Sequence, residues 1–449
     1  MNGLLAGTTV GGVTDAWTYD SAGQPTSYTV QYGGATLYSV TYTRDLDGRV
    51  LTKTEGGSGV TAHVYTYTYT AKGELRTATL DATTTTTYGY DADGNRVALN
   101  GVTVGAYDAQ DRLTSYAGTS YNYSNNGSLQ SKSGGWAYDY DLLGNLRTVT
   151  TPTTTVSYEV DGLNRRVQKK TAAYTQGFMY QGALHPVAEL DGAGNVVSVF
   201  VYGMRQDVPD YMVRGGSTYR LVSDQLGSVR LVVAAATGAV AQRIDYDEFG
   251  NATIVMDQAC ALAKTCALFQ PFGFAGGIFD YDAELVRLGA RDYDPETGRW
   301  TQKDPSRFGG GINLYAYAHN DPANYVDPTG ADGVPSWLTW LTNFLDHASN
   351  ALFGPRGVAP FGPGVGEEYP REPALPPFPD DVEGCIRAYS QGTDERNTCC
   401  VQACKQYAGP TPACENFCNS QPERYPSPGC DPSIIGAPIA VPIPMPIPL

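Results

Sequence analysis

The sequence predicts a mainly β protein: an antiparallel strip of hairpin repeats, followed by a small helical, disulfide-rich extension. Three observations predict it. A kernel of the form Tyr-Asp-x-x-Gly recurs through residues 19–255. Its flanks alternate at period two, as in Tyr65, Tyr67 and Tyr69 with Thr between them. Beyond residue 330 both habits stop, and Pro and Cys take over.

The 449 residues allow two or three domains. The net charge is −16, with 30 Lys and Arg against 46 Asp and Glu. An acidic surface disfavours nucleic acid and anionic membranes as primary partners, because phosphate binding needs a basic face. The N-terminus, Met1 to Val10, carries no basic segment and no long apolar run, so no secretory signal is expected. No stretch of about 18 apolar residues predicts a transmembrane helix.

Residues 1–255 form the repeat region. The Tyr slot falls at Tyr19, Arg44, Tyr69, Tyr90, Tyr107, Tyr123, Tyr140, Val160, Leu190, Ser223 and Tyr246. Four residues on stand nine glycines, with Asp111 and Asn164 as the exceptions. That pattern has a backbone cause. The position needs a positive φ, which Gly accepts freely and Asn and Asp tolerate best. Each repeat is therefore a hairpin turning over Asp-x-x-Gly. Period two places the Tyr rows on one face of the sheet. Such a ladder serves either as a carbohydrate platform or as packing between hairpins, with the phenols bonded to neighbouring backbone; packing is the reading adopted.

Residues 256–330 form a second unit. Its first part departs from the repeat, and Cys260 and Cys266 there form either a loop disulfide or two free thiols. Its second part, residues 286–330, holds four Asp-Pro steps at Asp294, Asp304, Asp321 and Asp327. The ordered pattern reads R-D-Y-D-P-E-T-G-R-W-x-x-x-D-P, then N-L-Y-A-Y, then N-x-P-x-N-Y-V-D-P-x-G.

This stretch resembles the core-associated region of Rhs (YD-repeat) proteins, the family that includes the C component of bacterial Tc toxins. The resemblance covers roughly residues 19–330. It implies a spiralling strip that encloses a variable C-terminal polypeptide. Whether a strip of this length closes stays open; a further shell-completing repeat chain, or missing N-terminal repeats, would be the partner. The resemblance also implies an aspartyl autoprotease that cuts just after Asp-Pro-x-Gly-Leu. Carried over residue by residue, the catalytic group is Arg291, Asp292 and Asp304. Two carboxylates held close cannot both ionise easily, so one keeps a proton while the other activates water. Asp294 is read as a turn former. Asp327, Pro328 and Gly330 shape the scissile turn, and the cut falls between Ala331 and Asp332. Ala331 stands where the family typically has Leu.

The remaining chain divides by composition. Residues 331–354 contain an amphipathic helix over 336–353, with Trp337, Trp340, Leu341, Phe344, Leu345, Ala348 and Leu352 on one stripe. Residues 355–383 are a Pro/Gly linker. Residues 384–430 hold seven cysteines. Cys400 and Cys404, and Cys414 and Cys418, lie one helical turn apart, which suits a hairpin stapled as Cys400–Cys418 and Cys404–Cys414. Four cysteines allow three pairings, and zinc is the weaker reading. Residues 431–449 are a Pro-rich tail.

With only four histidines, no phosphate-binding glycine loop and no His-x-Glu before the Cys pairs, nuclease and deaminase chemistry find no support. No cofactor and no metal are expected. The sequence reads as the C-terminal part of an Rhs-like polymorphic toxin or surface protein, secreted or cell-surface associated. It would encapsulate its extension and present it to a cell-surface or target-cell component. The alternatives are a non-cleaving adhesin and an inert fragment.

Overall fold

Every repeat turns over a left-handed residue at the predicted position. φ is +84° at Gly23, +91° at Gly127 and +86° at Gly250, and the two exceptions conform, with +59° at Asp111 and +60° at Asn164. The Asp that opens each turn explains the sequence preference. Asp20 accepts from the backbone N–H of Ala22 and Gln24 through one carboxylate oxygen, both at 2.9 Å. Asp45, Asp141 and Asp161 repeat the arrangement. A one-residue register shift accompanies the turn, as between Thr18 and Tyr19 and between Asn122 and Tyr123. This is the bulge that a left-handed residue imposes on a three-residue hairpin.

This is a computed structural model, which describes residues 4–335 apart from 183, 204, 206 and 332. The helix expected at 336–353, the linker, the cysteine module with Cys400, Cys404, Cys414 and Cys418, and the Pro-rich tail lie outside the described residues. What is described is overwhelmingly antiparallel β. Ten strands from Thr9–Val10 to Val102–Thr103 form one sheet in sequence order, and sixteen from Gly105–Tyr107 to Ala252–Met256 form another.

The repeat tyrosines stitch hairpin to hairpin. Tyr69 donates to the carbonyl of Val50 at 2.6 Å, Tyr90 to Leu75 at 2.9 Å and Tyr107 to Arg96 at 2.8 Å. Each acceptor lies two residues past the left-handed position of the preceding repeat. A bulged ladder leaves that carbonyl turned toward the next hairpin, and the phenol satisfies it.

The strip folds back on itself. Val13, Val30 and Val40 of the first sheet share a core with Val222, Leu231 and Val233 of the second and with Phe249 in the turn between its last two strands. Buried ion pairs join the same surfaces, Asp15 with Arg220 and Glu55 with Arg230. Gly12 also donates to the carbonyl of Ala235 at 2.8 Å.

The segment after the strip carries a four-stranded sheet, Ile278–Asp280, Leu285–Leu288, Arg291–Asp294 and Arg299–Trp300. It runs along the row of turns. Asn320 donates to the carbonyl of Gly94 at 2.7 Å, Tyr315 to Gly127 at 2.8 Å and Gln302 to Gly144 at 2.6 Å. Arg299 reaches the carbonyl of Asp111 at 2.6 Å. Lys169 of the strip sits 2.6 Å from both Asp280 and Asp282. At these four turns the strip supplies the acceptor and the closing segment the donor, and at Lys169 the roles are reversed. Between strip and closing segment, Cys260 and Cys266 form a disulfide.

Candidate functional site

Arg291 and Asp292 are neighbours in a strand, so their side chains leave opposite faces. Asp292 is fully buried, and its carboxylate is held by Arg166 at 2.9 Å and Arg287 at 3.0 Å. Arg166 belongs to a strip hairpin and stacks over the Tyr158 ring at 3.8 Å. Asp292 therefore ties the closing sheet to the strip. The Asp292 backbone carbonyl accepts from the N–H and hydroxyl of Thr301, both at 3.0 Å.

Arg291 faces the other way and lies over the Trp300 ring, 4.0 Å from its centre. One of its terminal nitrogens, Nη2, contacts two carboxylates, Asp304 at 2.6 Å and Asp327 at 3.2 Å. Its Nε donates to the carbonyl of Gly330 at 2.6 Å. Burial pushes the Asp304 carboxyl above the ordinary carboxylate range, opposed by Arg291 and by hydrogen bonds from the Ser306 hydroxyl and N–H, and aided by the like charge of Asp327. Burial likewise pulls the Arg291 guanidinium down, against the attraction of Asp304 and Asp327. A guanidinium shared by two buried carboxylates stays charged, and Asp304 is the carboxylate whose ionised form burial disfavours.

The turn after Asp327 is held on every side. Asp327 accepts from the Thr329 hydroxyl at 3.0 Å and from the Ala331 N–H at 3.1 Å. Ala290 donates to the Thr329 carbonyl at 2.8 Å. Gly330 has φ +67°, and a Cβ there would stand 2.4 Å from the Leu288 carbonyl oxygen. Only glycine fits. The Ala331 carbonyl then points at the Asp304 loop. The Ser306 hydroxyl donates to it at 3.1 Å and also lies 2.6 Å from Asp304 Oδ1. Gly310 closes the other side: a Cβ placed on it would meet Asp304 Oδ2 at 2.9 Å and the Ala331 carbonyl oxygen at 3.0 Å. These two distances mean that a side chain at this position would collide with both groups.

Of the residues the motif singled out, the fold gathers Arg291, Asp304, Asp327, Gly330 and Ala331. Pro328 lies inside the turn, and Asp332 falls outside the described residues. Asp292 is placed on the opposite face of its strand. Asp294 caps its own turn, accepting from the Glu296 N–H at 3.0 Å. Two contributors escape the motif. Ser306 follows an Asp-Pro step, where a hydroxyl commonly bonds the preceding Asp; that much is readable. Its contact with Ala331, 25 positions on, is not. Gly310 sits in a run of three glycines that looks like a loose loop in sequence.

Comparison with known proteins agrees with this architecture. The Teneurin YD-shell family model matches residues 5–323, and the chain belongs to that family, within the wider class of Rhs/YD-repeat proteins. Teneurin-3 of Mus musculus is 28% identical over 288 residues, covering 60% of this chain and 10% of that protein. The tRNA3(Ser)-specific nuclease WapA of Bacillus spizizenii is 28% identical over 274 residues, covering 57% of this chain and 11% of that protein. Among solved structures, the TcdB2-TccC3-Cdc42 crystal structure aligns with a TM-score of 0.59 and 17% identity, covering 74% of this chain and 19% of that one. The likeness at that identity is one of fold. The chain spans about a tenth of the length of the curated relatives it matches.

Proposed function

We propose that this protein is a self-cleaving YD-shell module that cuts its own chain after Ala331 and so frees residues 332–449 as a separate polypeptide to be presented or delivered. One observation carries the reading: a single guanidinium, Arg291, holds Asp304, Asp327 and the Gly330 carbonyl together. That arrangement sets two carboxylates beside a rigid turn, with burial raising the proton affinity of Asp304. One acts as acid and the other as base toward a water attacking the Ala331 carbonyl. Rigid presentation matters because hydrolysis of one bond among hundreds depends on near-attack placement.

The motif pairs Asp304 with Asp292, whereas the geometry favours Asp327 as its partner. In the favoured reading Asp292 fixes the strand that carries Arg291. The nuclease named for WapA is not carried to this chain, since the match covers only 11% of that protein. A rival reading is a non-cleaving surface adhesin, favoured by the small side chain of Ala331. In either case the proposed setting is secreted or cell-surface, with a further shell-completing repeat chain or missing N-terminal repeats, and a cell-surface or target-cell component, as partners. Among the described residues no helix is long and apolar enough to cross a membrane. Intact mass of the full chain separates the readings: two products, 1–331 and 332–449, support self-cleavage, and one full-length mass supports the adhesin.

A further inference from the structure

We propose that Ser306 is a catalytic residue of this cleavage, its hydroxyl relaying the proton of Asp304 to the Ala331 carbonyl oxygen. The inference rests on the self-cleavage reading and deepens it.

The geometry restricts where a proton on Asp304 can sit. Oδ2 faces Arg291 Nη2 at 2.6 Å, and a guanidinium only donates. Oδ1 accepts the Ser306 backbone N–H at 2.7 Å, which also only donates, so of these contacts Ser306 Oγ, 2.6 Å from Oδ1, is the one able to receive a proton from Asp304. Ser306 has one hydroxyl proton and two acceptors in reach, Asp304 Oδ1 at 2.6 Å and the Ala331 carbonyl at 3.1 Å. When Asp304 is ionised, the shorter contact keeps that proton. When Asp304 is neutral, its own proton points at Oγ, and the serine proton is free to turn to the carbonyl. The Ala331 carbonyl is thus polarised only in the protonated form of the site. Burial of Asp304 favours that form.

The step balances. Water oxygen bonds to the Ala331 carbonyl carbon and gives a proton to the Asp327 carboxylate. The carbonyl π pair takes the Ser306 proton while Ser306 takes that of Asp304, giving a neutral gem-diol. On collapse one hydroxyl re-forms the carbonyl and returns its proton through Ser306 to Asp304. The C–N bond breaks, and the leaving nitrogen takes the proton from Asp327. One water is consumed, leaving a carboxyl group on Ala331 and an amine on the released fragment. Gly310 packs closely beside Asp304 Oδ2 and the carbonyl oxygen, and a larger residue there would collide with both.

The test is time-resolved cleavage of the full chain made by cell-free translation, sampled across pH on denaturing gels. Wild type is expected to cut faster as pH falls through the range where Asp304 takes its proton. Ser306→Ala is expected to slow the cut by about 10²–10³-fold, the usual loss for one donor to a reacting carbonyl oxygen. It should also lose that pH-dependent rise while keeping the wild-type thermal midpoint. Ser306→Thr, which keeps the hydroxyl, should restore both rate and pH profile. Wild type that cuts while Ser306→Ala cuts equally fast with the same profile overturns the relay and leaves self-cleavage standing. A Ser306→Thr protein that folds but cuts as slowly as Ser306→Ala also overturns the relay. Wild type that never cuts overturns both.

Discussion

Glu55 and Arg230 stand 175 positions apart in the chain and 2.5 Å apart in the fold. Both are buried, and each has a second partner, Lys53 at 3.3 Å for Glu55 and Asp245 at 2.9 Å for Arg230. They fasten the first sheet to the second, so the strip's return on itself depends on them.

Glu55→Ala is expected to destabilise the fold by about 3–5 kcal/mol, because it leaves a buried guanidinium short of a counter-charge. Burial alone would raise the Glu55 carboxyl, but Lys53 and Arg230 outweigh it and hold it below the ordinary range. A depressed carboxyl stabilises above its unfolded pKa and loses that contribution as pH falls through the folded one. Urea denaturation at neutral and acid pH should therefore show the difference between wild type and variant shrinking in acid.

The turn glycines separate strain from collision. Gly73 has φ +90° and open space where a Cβ would stand, whereas at Gly250 a Cβ would lie 2.4 Å from the Phe274 ring. Gly73→Ala should cost about 1–2 kcal/mol, the usual penalty for a left-handed residue with a side chain. Gly250→Ala should cost clearly more, since Phe274 is buried in the closing segment's core. Thermal midpoints of the two variants check the order.

Asp321 is pushed up to about 7 by burial, opposed by hydrogen bonds from Asn324. A raised carboxyl works in the opposite sense to Glu55. Folding is favoured below the unfolded pKa, and the penalty grows as pH rises through the folded value. Asp321→Asn should therefore stabilise the protein relative to wild type at pH 8 and change little at pH 4. A variant equally destabilised at both would contradict this.

The two carboxylates competing to partner Asp304 are told apart by substitution. Asp327→Asn is expected to abolish cutting with the β signal intact. Asp292→Asn should lower thermal stability by weakening the tie to Arg166 and Arg287, and reduce the cut less. The reverse order would return the role to Asp292. Gly310→Ala should block cutting in a folded chain, because its methyl would crowd Asp304 and the Ala331 carbonyl.

Much of the strip is legible in the sequence because its signals are local. Tyr69, the Thr70 turn and Gly73 lie within five residues, and a positive φ leaves its mark on the sequence directly. The packing role of the tyrosines is readable for the same reason. The return of the strip is not, because nothing near Asp15 or Glu55 distinguishes them as partners of Arg220 and Arg230. The Asp-Pro core is legible as a motif and only partly as a site. Arg291 and Asp292 read as a unit in sequence, yet strand alternation sends them to opposite faces. The Asp327 turn reads as substrate, and the fold brings its carboxylate to the same guanidinium as Asp304. Cys260 and Cys266 are ambiguous in sequence because six residues of separation permit a bond without requiring one.

The most direct test of self-cleavage is the intact mass of the wild-type chain, purified whole and denatured before measurement, with Ala331→Leu beside it. Two masses are expected, those of residues 1–331 and 332–449, with Ala331→Leu cutting at least as fast. A single full-length mass for both proteins would contradict self-cleavage.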